Sequence, residues 1–460
     1  MPRTTTYTQW IALTPQQVWS VLGDPARWPE WNPAVTSVIL HDAPAVGVTG
    51  DYLPRGRANK AVHGRFAKPF ALSTFVPDRE LTIEQPEPVG TMRMRWTLTP
   101  RNGGTELAQS LTFSGPSAPA MRKVVGDLLL ADTRTAFARL ALLAGLRPAA
   151  DALTVVIAGG TGALGRNIAA DLTCRGHLVR IITRRTATEL PYEQYEWDGR
   201  TVGEWVAALR NPGPTALINL AGKLVDCRPT DRNIAELRRS RVDSTHALVE
   251  ASKTLDRPID YWVQASTTAI WADAGEIRCT ETTPLPEPGL PQMTGVAAPW
   301  ERAFEGADAT HRTVLRTSIV LDRDAPAMKR LVGLTKAGLG GSVGNGRQWF
   351  SWIHLDDWLA IVRAALGLDA TVTLPDGGVI VAATDFPVRN RDLMAGLRRQ
   401  LHRPWSPPTP APALTIGAVF LRTDPALGLT GRHATSEVLR AAGFRFRYPT
   451  LDEALSDLLP

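Results

Sequence analysis

The stretch Thr154-Val155-Val156-Ile157-Ala158-Gly159-Gly160-Thr161-Gly162-Ala163-Leu164-Gly165 constrains the fold of this chain more than any other. Its β-branched run reads as a fully buried strand. Glycines then recur every third residue, at Gly159, Gly162 and Gly165. Arg166 to Arg175 follows as a helix, with Ile168, Ala169 and Leu172 on one face and Gly176 as its stop. Strand, glycine turn and helix in this order open a dinucleotide-binding βαβ unit. The glycines let the backbone turn tightly and approach a pyrophosphate. The free N–H groups and positive dipole at the helix start hold that anion. Gly159, Thr161, Gly162, Ala163, Leu164 and Gly165 are the expected cofactor contacts, in an α/β fold with a Rossmann-type doubly wound parallel sheet.

The next segments extend the same unit. His177 to Thr183 reads as the second strand and ends in Arg184-Arg185 with no acid. A site for NAD places Asp or Glu there for the ribose hydroxyl, whereas an arginine suits the 2′-phosphate of NADP. NADP is therefore expected over NAD, with Arg184 as its partner; a solvated strand end is the plainer reading of the pair. Tyr195-Glu196-Trp197-Asp198 falls near where such folds close on an adenine, although Asp198 also suits a structural turn. Ala216 to Gly222 is a buried strand ending in small residues, so Leu220, Ala221 and Gly222 can lie against the cofactor. Ile234 to Ala251 reads as a helix carrying Ser240-Arg241. Asp260 to Ser266 is a further strand that delivers Ser266 to the carboxyl edge of the sheet, where ligands of such folds bind.

The totals exclude several classes. A chain of 460 residues exceeds one core, so two or three domains are expected. Of the net charge of +6, residues 1–150 supply most, with 16 Lys and Arg against 11 Asp and Glu. These arginines are scattered, which speaks against a nucleic-acid partner and weakly for an anionic ligand or surface. Cys174, Cys227 and Cys279 are odd in number and lack metal-ligand spacing, so no metal is expected and a reduced cytoplasm fits. The start has no apolar signal region, and no apolar run reaches membrane-spanning length.

The first third has another grammar. Tyr7 to Leu13 alternates as a strand. Thr14-Pro15 opens a helix holding Val18, Trp19, Val21 and Leu22, which Gly23-Asp24-Pro25 breaks before a second short turn. Val35 to Phe113 reads as a series of strands, with a hairpin loop at Arg101-Asn102-Gly103-Gly104. Met92, Met94, Trp96 and Leu98 alternate with polar residues. Pro119 to Leu146 reads as a long amphipathic helix with Met121, Val124, Val125, Leu128, Phe137, Leu140 and Leu143 inward.

This order, with Leu13-Thr14-Pro15-Gln16-Gln17-Val18-Trp19 and Asp24-Pro25-Ala26-Arg27-Trp28-Pro29-Glu30-Trp31, resembles the polyketide cyclase and START-like helix-grip family over residues 1–147. The resemblance implies an α+β domain whose sheet curls round a long helix and leaves an apolar cavity for a lipid-like or polycyclic ligand. Trp10, Trp19, Trp28, Trp31, Phe66, Phe70, Phe75 and Trp96 could line it; plain core packing is the alternative for each.

From residue 153 onward the blocks Gly159 to Gly165, Ile218 to Gly222, Ser240-Arg241, Leu315-Arg316-Thr317, Gly338 to Gly341 and Gly346 to Asp357 stand in order. Together they resemble the epimerase-like family of extended short-chain dehydrogenases. The resemblance implies a domain over 152–400 with redox or epimerase chemistry on an unspecified small molecule, and a small α+β C-terminal domain over 401–460. In catalytic relatives a Tyr moves the proton, a Lys lowers its pKa, and a Ser or Thr orients the substrate oxygen. Ser266 matches the last role, with Thr268 beside it. By spacing back from Glu301, Ala297 and Met293 stand where Lys and Tyr would be, and Ile270 and Trp271 replace a Tyr-Tyr pair. None of the four transfers a proton. His354 and Asp356 remain as candidates, with a structural role for His354 as the alternative. Arg347 and Gln348 suit either an anionic substrate or a turn. The expected function is an NADP-binding epimerase or oxidoreductase whose first domain binds a hydrophobic molecule. The rival is a non-catalytic NADP-dependent sensor or regulator, related to cell division by family label alone.

The last segment reads as a helix over Val388 to Leu401, a proline linker, a short helix over Ser436 to Ala442, a strand over Phe444 to Tyr448, and a final helix, Leu451 to Leu459. Thr450 and Glu453 form the capping box of that final helix. It is expected to pack on the substrate side of the Rossmann sheet.

Overall fold

The computed structural model describes residues 3–55, 68–87, 90–116, 132–410 and 424–459, with 118, 126, 129, 130 and 412 besides. Phe66, His63, Met121, Val124, Val125 and Leu128 lie outside these.

Seven antiparallel strands form the first sheet: β1 (Arg3–Ile11), β2 (Val35–Leu40), β3 (Thr49–Pro54), β4 (Phe70–Val76), β5 (Glu80–Glu87), β6 (Gly90–Arg101) and β7 (Gly104–Ser114). Their order is β1-β7-β6-β5-β4-β3-β2, so the first strand of this sheet in sequence pairs with the last. The expected hairpin closes between Arg101 and Gly104. Between β1 and β2 lie α1 (Pro15–Leu22) and α2 (Trp28–Trp31). Thr14 caps α1 through a reciprocal box with Gln17, so the Thr-Pro start acts as its chemistry requires. The helix α3 (Thr133–Leu143) crosses the sheet and buries Phe137, Leu140 and Ala141.

Trp28, Trp31, Phe70 and Trp96 are all buried, and they pack on one another. Ring centroids lie 5.0 Å apart for Trp28 and Trp96 and 6.1 Å apart for Trp28 and Phe70. Trp10 instead sits at the edge, where the Arg175 guanidinium lies 5.4 Å from its ring centre.

The second sheet is parallel: β8 (Thr154–Ala158), β9 (Leu178–Thr183), β10 (Glu193–Glu196), β11 (Thr215–Asn219), β12 (Ile259–Thr267), β13 (Ala309–Thr317) and β14 (Gly378–Ala382). Its order is β10-β9-β8-β11-β12-β13-β14. Alternate residues of β8 enter two different cores. Val155 and Ile157 pack with Ile168 and Leu172 of α4 (Ala163–Cys174). Val156 and Ala158 pack with Leu248 and Ala251 of α5 (Asp231–Ser252) on the opposite face. The sheet is therefore doubly wound. Its order reverses between β8 and β11, the place where open α/β sheets bind ligands.

Further helices include α6 (Thr294–Arg302), α7 (Leu355–Ala365) and α8 (Asn390–Gln400). The closing helix α9 (Leu451–Leu458) carries the expected Thr450–Glu453 box and packs on α8. The strand expected over Phe444 to Tyr448 is absent among the described residues. The Arg447 and Tyr448 N–H groups donate instead to the Asp357 carboxylate, at 2.6 and 3.0 Å, so no ladder claims them. The C-terminal segment docks at the carboxyl end of the parallel sheet. Arg278–Cys279 pairs with His433–Ala434, and the Glu281 carboxylate accepts from Val381 N–H, Ser436 Oγ and Glu437 N–H.

The two sheets meet through polar contacts at the far end of α4. The Ala12 N–H donates to the Cys174 carbonyl at 2.8 Å. Asp171, buried, accepts from Gln9 at 3.3 Å and from Arg363 at 2.7 Å. Arg134 of α3 pairs with Asp356 of α7.

Candidate functional site

Each expected glycine has a separate task. Gly159 has φ +79°, and a Cβ there would stand 3.0 Å from the Leu220 backbone, so β8 and β11 can diverge only around a glycine. At Gly165 a Cβ would lie 2.6 Å from the Gly160 Cα, which fixes how closely α4 approaches the strand end. Gly162 caps α4 with extended backbone and is exposed. A Cβ there meets only the Gly159 carbonyl oxygen, at 3.3 Å. The first turn of α4, Ala163 to Gly165, has no carbonyl behind it to receive its N–H groups. Gly162 and Ala163 present this turn to solvent. The cradle is open, electropositive and bounded by backbone, which fits a diphosphate.

The neighbouring strand end is tied to the cradle. Thr161 and Thr183 hydroxyls lie 3.2 Å apart, and Arg166 Nε donates to the Thr161 carbonyl at 3.0 Å. Arg184 follows Thr183 directly and is exposed; among the described residues it forms no ion pair. Asp198 is a turn residue, its carboxylate accepting from the Arg200 and Thr201 N–H groups at 2.8 and 2.9 Å. Beyond β11, Leu220 N–H donates to the Ala158 carbonyl and Ala221 N–H to Asn219 Oδ1. Leu220 and Ala221 thus form the wall opposite Arg184, with exposed Gly222 next in line.

The end of β12 places Ser266 at the carboxyl edge of the sheet, beside an acid from α6. The buried Ser266 hydroxyl donates to Glu301 Oε1 at 2.5 Å. Arg316 of β13 grips the same carboxylate through Nε and Nη2, at 2.9 and 2.8 Å, and its guanidinium lies 5.0 Å from the ring centre of Trp271. Glu301 and Arg316 were not expected as site residues. The available signal was Arg316 itself, a charge between residues at the buried end of its strand. Thr268 is buried and opens the short turn Thr268–Trp271, which Thr267 caps through Ala269 N–H.

The other expectations separate. Met293 and Ala297 are buried on α6. His354 caps α7, its Nδ1 accepting from Asp356 N–H at 3.1 Å, and Asp356 faces Arg134, so both serve architecture. Gln348 donates to the Val343 and Gly428 carbonyls at 3.1 and 2.8 Å and stabilises its loop. Among the described residues no group of acids, histidines and cysteines is placed to hold a metal, and no helix is long and apolar enough to cross a membrane.

Residues 155–292 match the model of the NAD dependent epimerase/dehydratase family. Residues 2–145 match that of polyketide cyclase / dehydrase and lipid transport, and residues 409–458 a domain of unknown function. An epimerase family protein of Mycobacterium leprae is 30% identical over 306 residues, covering 66% of this chain and 94% of that protein. The crystal structure of human epimerase family protein SDR39U1 with NADPH aligns with TM-score 0.57 at 26% identity, over 66% of this chain and 99% of that one. A nucleoside-diphosphate sugar epimerase from Corynebacterium glutamicum shares the fold across 99% of this chain and 90% of its own, with TM-score 0.59 and 22% identity.

Proposed function

The chain belongs to the epimerase family of extended short-chain dehydrogenases, which bind a nicotinamide cofactor, and from this premise we propose that it is an NADP-dependent oxidoreductase or epimerase acting on a small molecule. One observation carries the choice of NADP: Arg184, exposed and without an ion-pair partner among the described residues, stands beside the open glycine cradle. The solved human relative holds NADPH.

In this reading the N–H groups of Ala163, Leu164 and Gly165 take the diphosphate, which the backbone at Gly162 lets approach closely. Arg184 takes the 2′-phosphate through charge-assisted hydrogen bonds. Leu220 to Gly222 bound the cofactor on the other side. A nicotinamide held there would supply hydride transfer. Ser266 orients the substrate oxygen, with Glu301 fixing its hydroxyl and Arg316 fixing Glu301. Thr268 borders the same site. The first domain, residues 1–147, holds a hydrophobic molecule above the Trp28, Phe70 and Trp96 cluster; its match to a lipid-transport family supports this. The division continues with 152–400 for the cofactor domain and 401–460 for the C-terminal one. Three free cysteines suit a reducing cytoplasm.

A second reading, a cofactor-dependent sensor without turnover, rests on Met293, Ala297, Ile270 and Trp271, all buried and none a proton carrier. Fluorescence titration with NADPH and NADH tests the first part: NADPH binding at micromolar concentration, with NADH weaker, is expected. Absence of binding at millimolar NADPH overturns it. Oxidation of NADPH by a carbonyl panel, lost in Ser266→Ala, excludes the sensor.

A further inference from the structure

Several part-buried arginines in this chain meet acids. Arg134 faces Asp356, Arg316 faces Glu301 and Arg363 faces Asp171. Arg241 of α5 departs from this pattern. Among the described residues it forms no ion pair, and its Nη1 donates to the Leu237 carbonyl one turn earlier, at 3.1 Å. Its guanidinium lies 5.1 Å from the ring centre of Trp300 on α6. Its side chain passes Gly222 so closely that a Cβ there would stand 3.1 Å from its Cγ and Cζ. Burial with no acid opposite pushes this guanidinium down to about 10. A guanidinium presents five donors, so most of its capacity is open. Withdrawing such a charge from water without a counter-ion is costly, and an arriving anion recovers that cost.

The loop that starts at Gly222 adds a second, independent observation. Leu224 is 80% exposed and Val225 48% exposed, an apolar pair beside the cofactor wall. The loop is held rather than loose. Lys223 N–H donates to Ser240 Oγ at 3.0 Å, Lys223 Nζ meets Glu236 at 2.6 Å, and Asp226 pairs with Arg330 at 2.9 Å. A cation with no acid opposite, packed against Gly222, and an apolar pair two and three residues further along that loop therefore share one fixed frame.

We propose that the substrate is an amphipathic acid, whose carboxylate or phosphate meets Arg241 and whose apolar body lies on Leu224 and Val225. This names the substrate class for the cofactor site proposed above and rests on that reading. Arg241 is then a specificity residue, distinct from the groups at Ser266.

The full-length protein saturated with NADPH is titrated calorimetrically with decanoate, decyl phosphate, decanol and acetate. Decanoate or decyl phosphate is expected to bind at least about tenfold tighter than decanol and than acetate, the preferred head telling carboxylate from phosphate. Arg241→Gln should abolish the advantage over decanol and leave NADPH affinity unchanged. Leu224→Ser with Val225→Ser should weaken the charged and the neutral probe alike. If Arg241→Gln fails to fold, Arg241→Lys should retain the preference in reduced form, and the loop variant still reads the apolar half. Three results overturn the proposal. They are equal binding of decanoate and decanol, probe binding unaffected by both variants, which places it in the first domain, and loss of NADPH affinity in Arg241→Gln, which assigns the arginine to the cofactor. Failure of NADPH to bind the wild type is read separately, in the same titration, and counts against the cofactor reading.

Discussion

Ser266 gives its hydroxyl hydrogen to Glu301 at 2.5 Å, and through that carboxylate it is joined to Arg316 on the neighbouring strand. The serine at the carboxyl edge is thus not a lone hydroxyl. It is the tip of a chain that ends in a buried ion pair, with side-chain exposures of 8% for Arg316 and 14% for Glu301. Its direction is set by residues on α6 and β13.

Removing one charge of that pair leaves the other buried alone. Glu301→Gln should lower stability by about 3 kcal/mol, whereas Ser266→Ala should cost about 1 kcal/mol. Replacing both charges, in Glu301→Leu with Arg316→Met, should cost less than Glu301→Gln alone. Urea denaturation of the four proteins checks the ranking.

Two tasks of the glycine cradle separate by substitution. Gly165→Ala places a Cβ 2.6 Å from backbone and should destabilise by about 2 kcal/mol. Gly162→Ala meets one atom at 3.3 Å and should melt within about 2 °C of the wild type. It should nevertheless lose about tenfold in NADPH affinity, because the new methyl stands where the diphosphate approaches. Melting curves and fluorescence titrations on the same samples distinguish these outcomes.

Arg184→Ser should weaken NADPH about tenfold and leave NADH affinity unchanged, since only the 2′-phosphate is affected. Equal loss for both cofactors would mean that the arginine serves the diphosphate or the fold. Parallel titrations with the two nucleotides give the ratio.

Asp171 supplies the pH dependence. Burial alone would raise its pKa, but Arg363 and Arg175 outweigh burial and hold it at about 2. A carboxyl whose folded pKa is depressed contributes stability above its unfolded value, and that contribution fades as pH falls through the folded one. The loss should therefore run from about pH 4 down to about pH 2 and reach about 2 kcal/mol. Denaturation midpoints across that range should fall in the wild type and fall less in Asp171→Asn, which begins from a lower plateau.

What sequence could reveal here was what depends on neighbours within a few residues. The strand-glycine-helix stretch, the Thr14-Pro15 helix start, the Thr450–Glu453 box and the Arg101–Gly104 hairpin all express local rules, and the structure places them as read. Phe444 to Tyr448 misled because its alternation was real while its hydrogen-bond partner, Asp357, is remote in sequence. Glu301 and Arg316 escaped for the same reason, since each gains meaning only when α6 and β13 converge on Ser266. The aromatic residues of the first third resolved only in part: Trp28, Trp31, Phe70 and Trp96 are buried together, while Trp10 faces Arg175 across the junction.

That junction carries a consequence for inheritance. The carbonyl at the end of α4 and the carboxylate at Asp171 both look to β1 and its exit, at Ala12 and Gln9, for a donor. Severing the connector at 147–151 would strand an acceptor on one half and a donor on the other. Neither half can be traded for a foreign homologue unless the newcomer brings the matching glutamine and amide in register. The two sheets are bound to evolve as one unit, with the helix that begins at Gly162 as their common keel.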